Sequence, residues 1–399
     1  MNGSTGGLVI LLLTGTPLLA AAPHFEVLTV EGRRFVGPLV EVTADSVTVG
    51  SEKIATVDLV RCEQSRPEPA ASSAGAVQLL LVNGDRLRAE IETIDEEFLV
   101  ARWGLAGEKP AVRVPLEQVQ AVILGPVKSA AGRRRVRDRL RRHRRGVDLV
   151  LLGGGDRISG EFGRLTGKVL ELKTESGARV LPRQSVAGVA FNAELFSVPP
   201  PPRRRAHVEL KDGSRLTTAW PTFDRRRGWL VRSVLGRRFE FAATAVRSIQ
   251  FAGGRSLSLS SVAPVKVVTT PFQGRVRPLA IDRSVSGRDL LVRGRWFASG
   301  LGMSSRTVAT WTLDGSHRWF VAAVAIDDSA RGGGSVVFRV RADSRTVFTS
   351  PQLTGRDKPL PIPPVDLSGV RQLVLEVDYG RRADVRDHAA WLDPRLVGQ

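Results

Sequence analysis

Short runs of alternating apolar and polar residues recur along the chain, and between them stand glycines followed by polar or basic residues. Val27-Leu28-Thr29-Val30 leads to Gly32-Arg33-Arg34-Phe35, and Val77-Gln78-Leu79-Leu80-Leu81 leads to Gly84-Asp85-Arg86-Leu87. Val147 to Leu152 leads to Gly155-Asp156-Arg157-Ile158, and Val208-Glu209-Leu210 to Gly213-Ser214-Arg215-Leu216. Period two puts successive side chains on opposite faces of a strand, and Asn-Gly, Gly-Gly or Asp-Gly between two such runs marks a tight hairpin. Each segment then closes on an apolar signature spaced three residues apart. These are Val57 to Cys62, Val119 with Val122 and Leu124, Val186 with Val189 and Phe191, and Val246 with Ile249 and Phe251. The pattern predicts four copies of one all-β unit, at 24–63, 77–125, 147–192 and 206–252.

So short a unit leaves two strand edges bare unless its sheet curls closed. A small barrel resembling the SH3 or Sm type is therefore expected for each copy, four in tandem. The core of such a unit is thin, so copies are expected to pack on one another at least in pairs. The segments between copies differ in composition. Glu63 to Ala76 is rich in Ser, Pro and Ala, and 126–146 is an arginine-rich linker. Pro199 to Arg205 joins a stiff proline run to three arginines, and Gly253 to Pro264 is rich in Gly and Ser. From 265 to 399 the strands lengthen. Ala309, Trp311 and Leu313 share one face, Val336, Phe338 and Val340 another, and Leu373, Leu375 and Val377 a third. Strands of that length over so long a stretch predict a two-sheet β-sandwich rather than a fifth small unit.

Residues 1–22 read as a signal peptide. Leu8 to Leu13 is a short apolar run and Leu18-Leu19-Ala20-Ala21-Ala22 supplies small residues before a cut. No Lys or Arg precedes the run and Pro23 follows it, so the cleavage point stays open and an uncleaved anchor is the rival reading. No later stretch is long and apolar enough to span a bilayer as a helix. Export to the periplasm, the cell surface or the medium is the expectation.

Among 399 residues a single cysteine, Cys62, excludes a disulfide framework, a redox pair and a thiolate zinc cluster. The five histidines form no short metal-ligand motif. The net charge of +19 suggests nucleic acid until it is located. Nine arginines against Asp138 lie between Arg133 and Arg145, and Arg203, Arg204 and Arg205 follow the prolines. Eleven of the nineteen charges thus fall in two linkers, read as a solvated, self-repelling segment or short exposed helix rather than a phosphate-binding surface.

Several sequence elements in the last third resemble one family. They are Gly300-Leu301-Gly302-Met303-Ser304-Ser305, Leu313-Asp314-Gly315, Ala325-Ile326-Asp327-Asp328 after Phe320, Gly334 to Val340, and Asp387-His388-Ala389-Ala390-Trp391. In this order they resemble the NPCBM module, the carbohydrate-binding module named from glycosyl hydrolase family 98. The resemblance implies a galactose-binding-like jelly roll that binds galactose-type or related glycans, with Asp327, Asp328, Asp387, His388 and Trp391 as carbohydrate-binding positions. Carboxylates would accept paired sugar hydroxyls, the histidine would add one bond, and the indole would stack on a pyranose. The alternative for these residues is structural, with Trp391 in the core and Asp387 and His388 a polar pair fixing the last strand. This chain departs from the family pattern at Ser304, at Ala390, and at Arg381-Arg382-Ala383-Asp384, where an acidic turn is usual. The family's structural calcium is weakened by these changes, since a hard cation needs several oxygen ligands. No other cofactor is implied.

A glycosidase needs two carboxylates across a cleft, and small convex units offer none. No nucleophile elbow, phosphate loop or metal motif stands elsewhere, and Asp95-Glu96-Glu97 reads as a solvated turn. The expected function is a non-catalytic, exported glycan- or cell-wall-polysaccharide-binding protein, its β repeats serving as spacer or docking units. The alternative is a cell-envelope scaffold with a degenerate sugar site and a protein partner. An accessory or remnant of a glycoside hydrolase comes third.

Overall fold

The computed structural model describes residues 23–65, 78–104, 111–125, 129–143, 146–198, 200–234, 236, 238–272, 276–381 and 383–398. Residues 1–22, expected above to be a signal peptide, and most of the first linker lie outside the described residues. Among those described, the fold is all-β apart from one α-helix and short 3-10 turns. No helix among them is long and apolar enough to cross a membrane.

In the first copy, His24–Thr29, Arg34–Val42, Ser46–Val49 and Glu52–Ala55 run as an antiparallel meander. After the turn Thr56–Asp58, the closing strand Leu59–Gln64 returns to pair with the opening one. The other copies repeat this plan, with opening strands Gln78–Leu81, Asp148–Leu152 and Arg205–Leu210 and closing strands Val119–Ile123, Val186–Ala190 and Val246–Ala252. The first hairpin of each copy turns at a glycine of positive φ, 79° at Gly32, 90° at Gly84, 102° at Gly155 and 84° at Gly213. A Cβ is strained in that region, which is why the glycine recurs at this one position.

No copy closes on itself, and the expected four small barrels are not found. Each copy is an open sheet whose bare closing strand is covered by the closing strand of another copy. The first copy pairs with the fourth, Cys62 opposite Ile249, and the second with the third, Val122 opposite Val189. Cys62, Val122, Val189 and Ile249 occupy the same place in the repeat, so each junction is a local two-fold. A second junction in each pair obeys the same rule, Val42 meeting Phe223 and Ile94 meeting Leu165. An antiparallel edge is complementary to its own copy, so two open sheets satisfy each other's N–H and C=O groups without either having to curl shut. One continuous core results, running through Phe25, Leu39, Leu79, Leu99, Val189, Val208 and Trp229.

The arginine-rich segment is more than a linker. Ser129 caps the helix Ala130–Arg141 by accepting from the Gly132 N–H at 2.9 Å. Leu140, with Val136 beside it, packs on Leu80, Ala121, Ile123, Leu149 and Ala187, across the outer face of the closing strands of copies two and three. The helix can lie this close because Gly188 has no side chain, and a Cβ there would stand 2.7 Å from a Leu140 methyl.

The last third is a sandwich of a seven-stranded and a six-stranded antiparallel sheet around Trp311, Phe320, Phe338, Leu375 and Trp391. It takes in Ser256–Ser258, which pairs with Ala389–Gly398, and so begins before residue 265. It docks on the repeats through Val30 and Val60 against Val397 and through buried charge. Arg61 reaches Asp393 at 2.9 Å and Gln250 at 3.1 Å, with its guanidinium 4.4 Å from the Phe297 ring centre. Asp289 of the sandwich receives Arg141 on Oδ1 at 2.9 Å, and Arg86 and Arg215 on Oδ2 at 2.6 and 2.9 Å. Burial alone would raise the Asp289 pKa, but Arg86, Arg215, Arg141 and Arg137 together hold it well below the usual carboxylate range.

The closing-strand junction makes Cys62 a reporter. Its thiol is fully buried opposite Ile249, and burial, then Glu63, pushes its pKa far up. Ile249→Ala is expected to cost about 2–5 kcal/mol of stability and to speed labelling of Cys62 by a thiol reagent under native conditions. Unchanged labelling would contradict the junction between copies one and four.

Candidate functional site

Three loops of the sandwich meet at one end of its sheets. His317–Ile326 delivers Asp327 and Asp328 at its end, Ala389–Gly398 is preceded by Asp387 and His388, and the segment 282–294 folds over both. The junction is a backbone bond from Asp327 N–H to the His388 carbonyl at 2.9 Å.

A chain of polar groups runs through this place. Arg277 Nη1 lies 2.7 Å from His388 Nε2, His388 Nδ1 lies 2.6 Å from Ser329 Oγ, and Ser329 Oγ lies 3.0 Å from Ser284 Oγ. A guanidinium only donates, so Nε2 accepts, Nδ1 carries the proton and donates to Ser329, and the imidazole is neutral. Burial, then the charges of Arg277, Arg288 and Arg386, lower the His388 pKa to about 4. Asp327 is buried beside it, with Oδ1 accepting from the Ser329 N–H at 2.7 Å, the Ser284 and Ser329 hydroxyls acting on the carboxylate, and Oδ2 enclosed without a well-formed hydrogen bond. Burial pushes its pKa up against the pull of those hydrogen bonds. The carboxylate, the neutral imidazole and the two hydroxyls form an enclosed polar network, with Asp327 1% and His388 9% exposed.

The other three expected positions are occupied by the fold itself. Asp328 accepts the N–H groups of Arg293 and Gly294, both at 2.7 Å, and so holds the turn of the covering loop. Asp387 accepts the Ser335 N–H at 2.7 Å and the Ser305 hydroxyl, tying the last loop to the other sheet. Burial raises its pKa to about 6. Trp391 is wholly buried, edge-on to Phe338 with ring centres 5.2 Å apart, and presents no face to a sugar. Thus Asp327 and His388 converge, while Asp328, Asp387 and Trp391 build the frame around them. Arg277, Ser284 and Ser329 were not legible as site residues. Only the Asp-x-Ser spacing of Asp327 and Ser329, a local side-chain-to-backbone turn, hinted at one of them.

The departures from the family pattern have local reasons. Ala390 is buried under Leu290, Val292 and Phe297, where a carboxylate would have no water. Among the described residues, no three His, Cys, Asp or Glu side chains gather to hold a metal ion. In the turn where the family is usually acidic, Asp384 accepts the Phe272 N–H at 3.1 Å, and Asp387 is bonded as described above. These residues do not fit a calcium ion held by side-chain carboxylates.

Residues 257–397 match the NPCBM/NEW2 domain, which leaves the four-copy array outside the match. A stretch of 119 residues is 32% identical to Alpha-1,3-galactosidase B of Akkermansia muciniphila, covering 28% of this chain and 14% of that relative's length. Among solved structures, a CBM51 of Clostridium perfringens GH95 in complex with methyl-galactose is 23% identical, with a TM-score of 0.33 over 36% of this chain and 99% of that one. The CBM51-2 and INT domains of Clostridium perfringens ZmpB, solved with GlcNAc, are 18% identical with a TM-score of 0.33, covering 45% of this chain and 43% of that one.

The buried imidazole and carboxylates give opposite pH signatures. An unfolded His titrates near 6.5, roughly, while His388 does so at about 4, so this group costs stability as pH falls from its unfolded value toward its folded one. Asp387, whose folded pKa is about 6, withholds stability at neutral pH and returns it as pH falls through that value. In a histidine NMR titration His388 is expected to change near its folded value, and Arg277→Ala to move that midpoint upward. A midpoint at the unperturbed value in the parent protein would contradict the assigned geometry.

Proposed function

Because residues 257–397 form an NPCBM/NEW2 domain, we propose that this protein binds a glycan through that domain and does no chemistry on it. The ligand class is a galactose-type terminal sugar or a related cell-wall saccharide. That choice rests on the family match and on the galactosidase relative. The feature of this chain that supports the reading is the polar cluster of Asp327, His388, Ser329 and Ser284 at the loop end of the sandwich. In this reading Asp327 accepts sugar hydroxyls, His388 orients Ser329, and burial together with Arg277 keeps the imidazole neutral. Sugar binding by aromatic stacking has no part here, since Trp391 is enclosed. The protein is exported by its leader and works at the cell surface, in the periplasm or outside the cell. The repeat array is the spacer or the docking unit for an envelope partner.

A second reading is favoured by a different observation. Three of the five family positions, Asp328, Asp387 and Trp391, are consumed by internal bonds or packing. A scaffold of the cell envelope with a degenerate sugar site would look the same.

A glycan array followed by calorimetry on the full chain separates the two. The expected result is binding to galactosides, weakened at least about tenfold by Asp327→Ala, the loss of roughly one hydrogen bond to a charged group. Absence of binding to galactosides and cell-wall sugars alike leaves the scaffold. Measurable turnover of chromogenic galactosides would overturn the non-catalytic reading.

A further inference from the structure

A cavity of about 300 Å³ lies where copies two and four, the helix and the sandwich come together. Arg86, Arg137, Arg141, Arg215, Asp289 and Trp296 are among its walls. We propose that this cavity is a binding site for a small oxyanion, the sulfate, phosphate or carboxylate group of an anionic ligand.

The argument begins with charge. A guanidinium does not deprotonate in a protein, and burying four of them is costly unless anions meet them. Asp289 supplies one anion, and its two oxygens already take Arg86, Arg141 and Arg215. Arg215 is further held by Glu209 at 3.0 Å and lies 4.1 Å from the centre of the Trp296 ring. Arg137 is left over. It feels Asp289 and, more weakly, Asp138 only through space, burial and the charges of Arg86 and Arg141 disfavour its cation, and its Nε is buried with no hydrogen-bond partner.

The other acids of the cavity do not meet this need. Asp85 is buried and turned to the Thr217 N–H and hydroxyl, each at 2.7 Å, and to Asn83 at 3.0 Å. Asp282 accepts the Gly300 N–H at 3.0 Å. His207 is neutral, its pKa lowered to about 4 by burial and then by Arg205, so it adds no positive charge to repel an anion. Forked donors converging on a site short of acceptors match an oxyanion, whose oxygens take two N–H bonds each, and suit a neutral sugar poorly.

None of the four arginines belongs to residues 257–397, so a lone sandwich domain lacks this site. It is made by the docking of the repeat array and its helix onto the sandwich. The arginine-rich segment thereby gains a role that its composition did not point to, since Arg137 and Arg141 face the cavity while Leu140 anchors the helix.

Calorimetry and thermal shift on the full chain test this, with sulfate, inorganic phosphate and glucuronate each compared with chloride at equal ionic strength. Saturable binding and a rise in Tm beyond that given by chloride are expected. Arg137→Gln should weaken binding by roughly tenfold, one charge-assisted hydrogen bond. Asp289→Asn should tighten it, because the internal competitor is gone. Tighter binding of glucuronate than of sulfate or phosphate would assign the site to an acidic sugar, and the reverse order to an inorganic anion or its ester. Anion effects equal to chloride, or unchanged by Arg137→Gln, would overturn the proposal. If Asp289→Asn fails to fold, the Arg137→Gln comparison decides alone. Galactoside binding through Asp327 is read in a separate titration, so either result can fail without the other.

Discussion

A β-strand at the rim of a sheet carries a row of N–H and C=O groups that must be bonded to something. In this protein that requirement organises everything upstream of the sandwich. Each copy of the repeat has a closing strand with one free edge, and the edge is met by the equivalent edge of another copy, Cys62 against Ile249 and Val122 against Val189. Once the first copy is bound to the fourth and the second to the third, the chain between them has to travel across the assembly. The helix Ala130–Arg141 makes one of those journeys and is held flat against the sheet by Leu140.

The sandwich is attached to this frame as much by charge as by apolar contact. Arg61 with Asp393, and Asp289 with Arg86, Arg141 and Arg215, are pairs between segments far apart in the chain. Buried ion pairs repay their desolvation only when geometry is good and the remaining donors are satisfied. Around Arg61 the Nη2 group is met by Asp393 and Gln250 and the guanidinium lies over the Phe297 ring, while Nε is buried without a hydrogen-bond partner. Around Asp289 the shortfall is larger, because guanidinium groups outnumber the carboxylate oxygens left to them. Such a surplus makes the interface a receptor for anions as well as a lock between domains.

At the loop end of the sandwich, the polar residues divide between frame and opening. Asp328 and Asp387 spend their oxygens on backbone amides, which fixes the loops that carry them. The His388 ring stays neutral because burial, and then arginines from three segments, disfavour the imidazolium, and Asp327 lies enclosed beside it. This division leaves no exposed indole at Trp391, which is enclosed against Phe338.

Much of this was readable in the chain itself, because its causes are local. Alternation with period two, a glycine where φ must be positive, and an apolar closing signature specify strands and turns within a few residues, and they recur four times. The five polar and aromatic positions of the last third came from the resemblance to the NPCBM module, carried over residue by residue. What the chain could not announce is which edges meet, since four closing strands with nearly the same signature are equally able to pair with one another. Nor could it say which acids remain open. Trp391, Asp387 and Asp328 look like ligand contacts in a line of letters, and only packing against Phe338, Ser335 and Gly294 turned them into structure. Arg137 and Arg141 read as solvated charge for the same reason, because their partner Asp289 lies some hundred and fifty residues away and is brought near only by the docking of two domains.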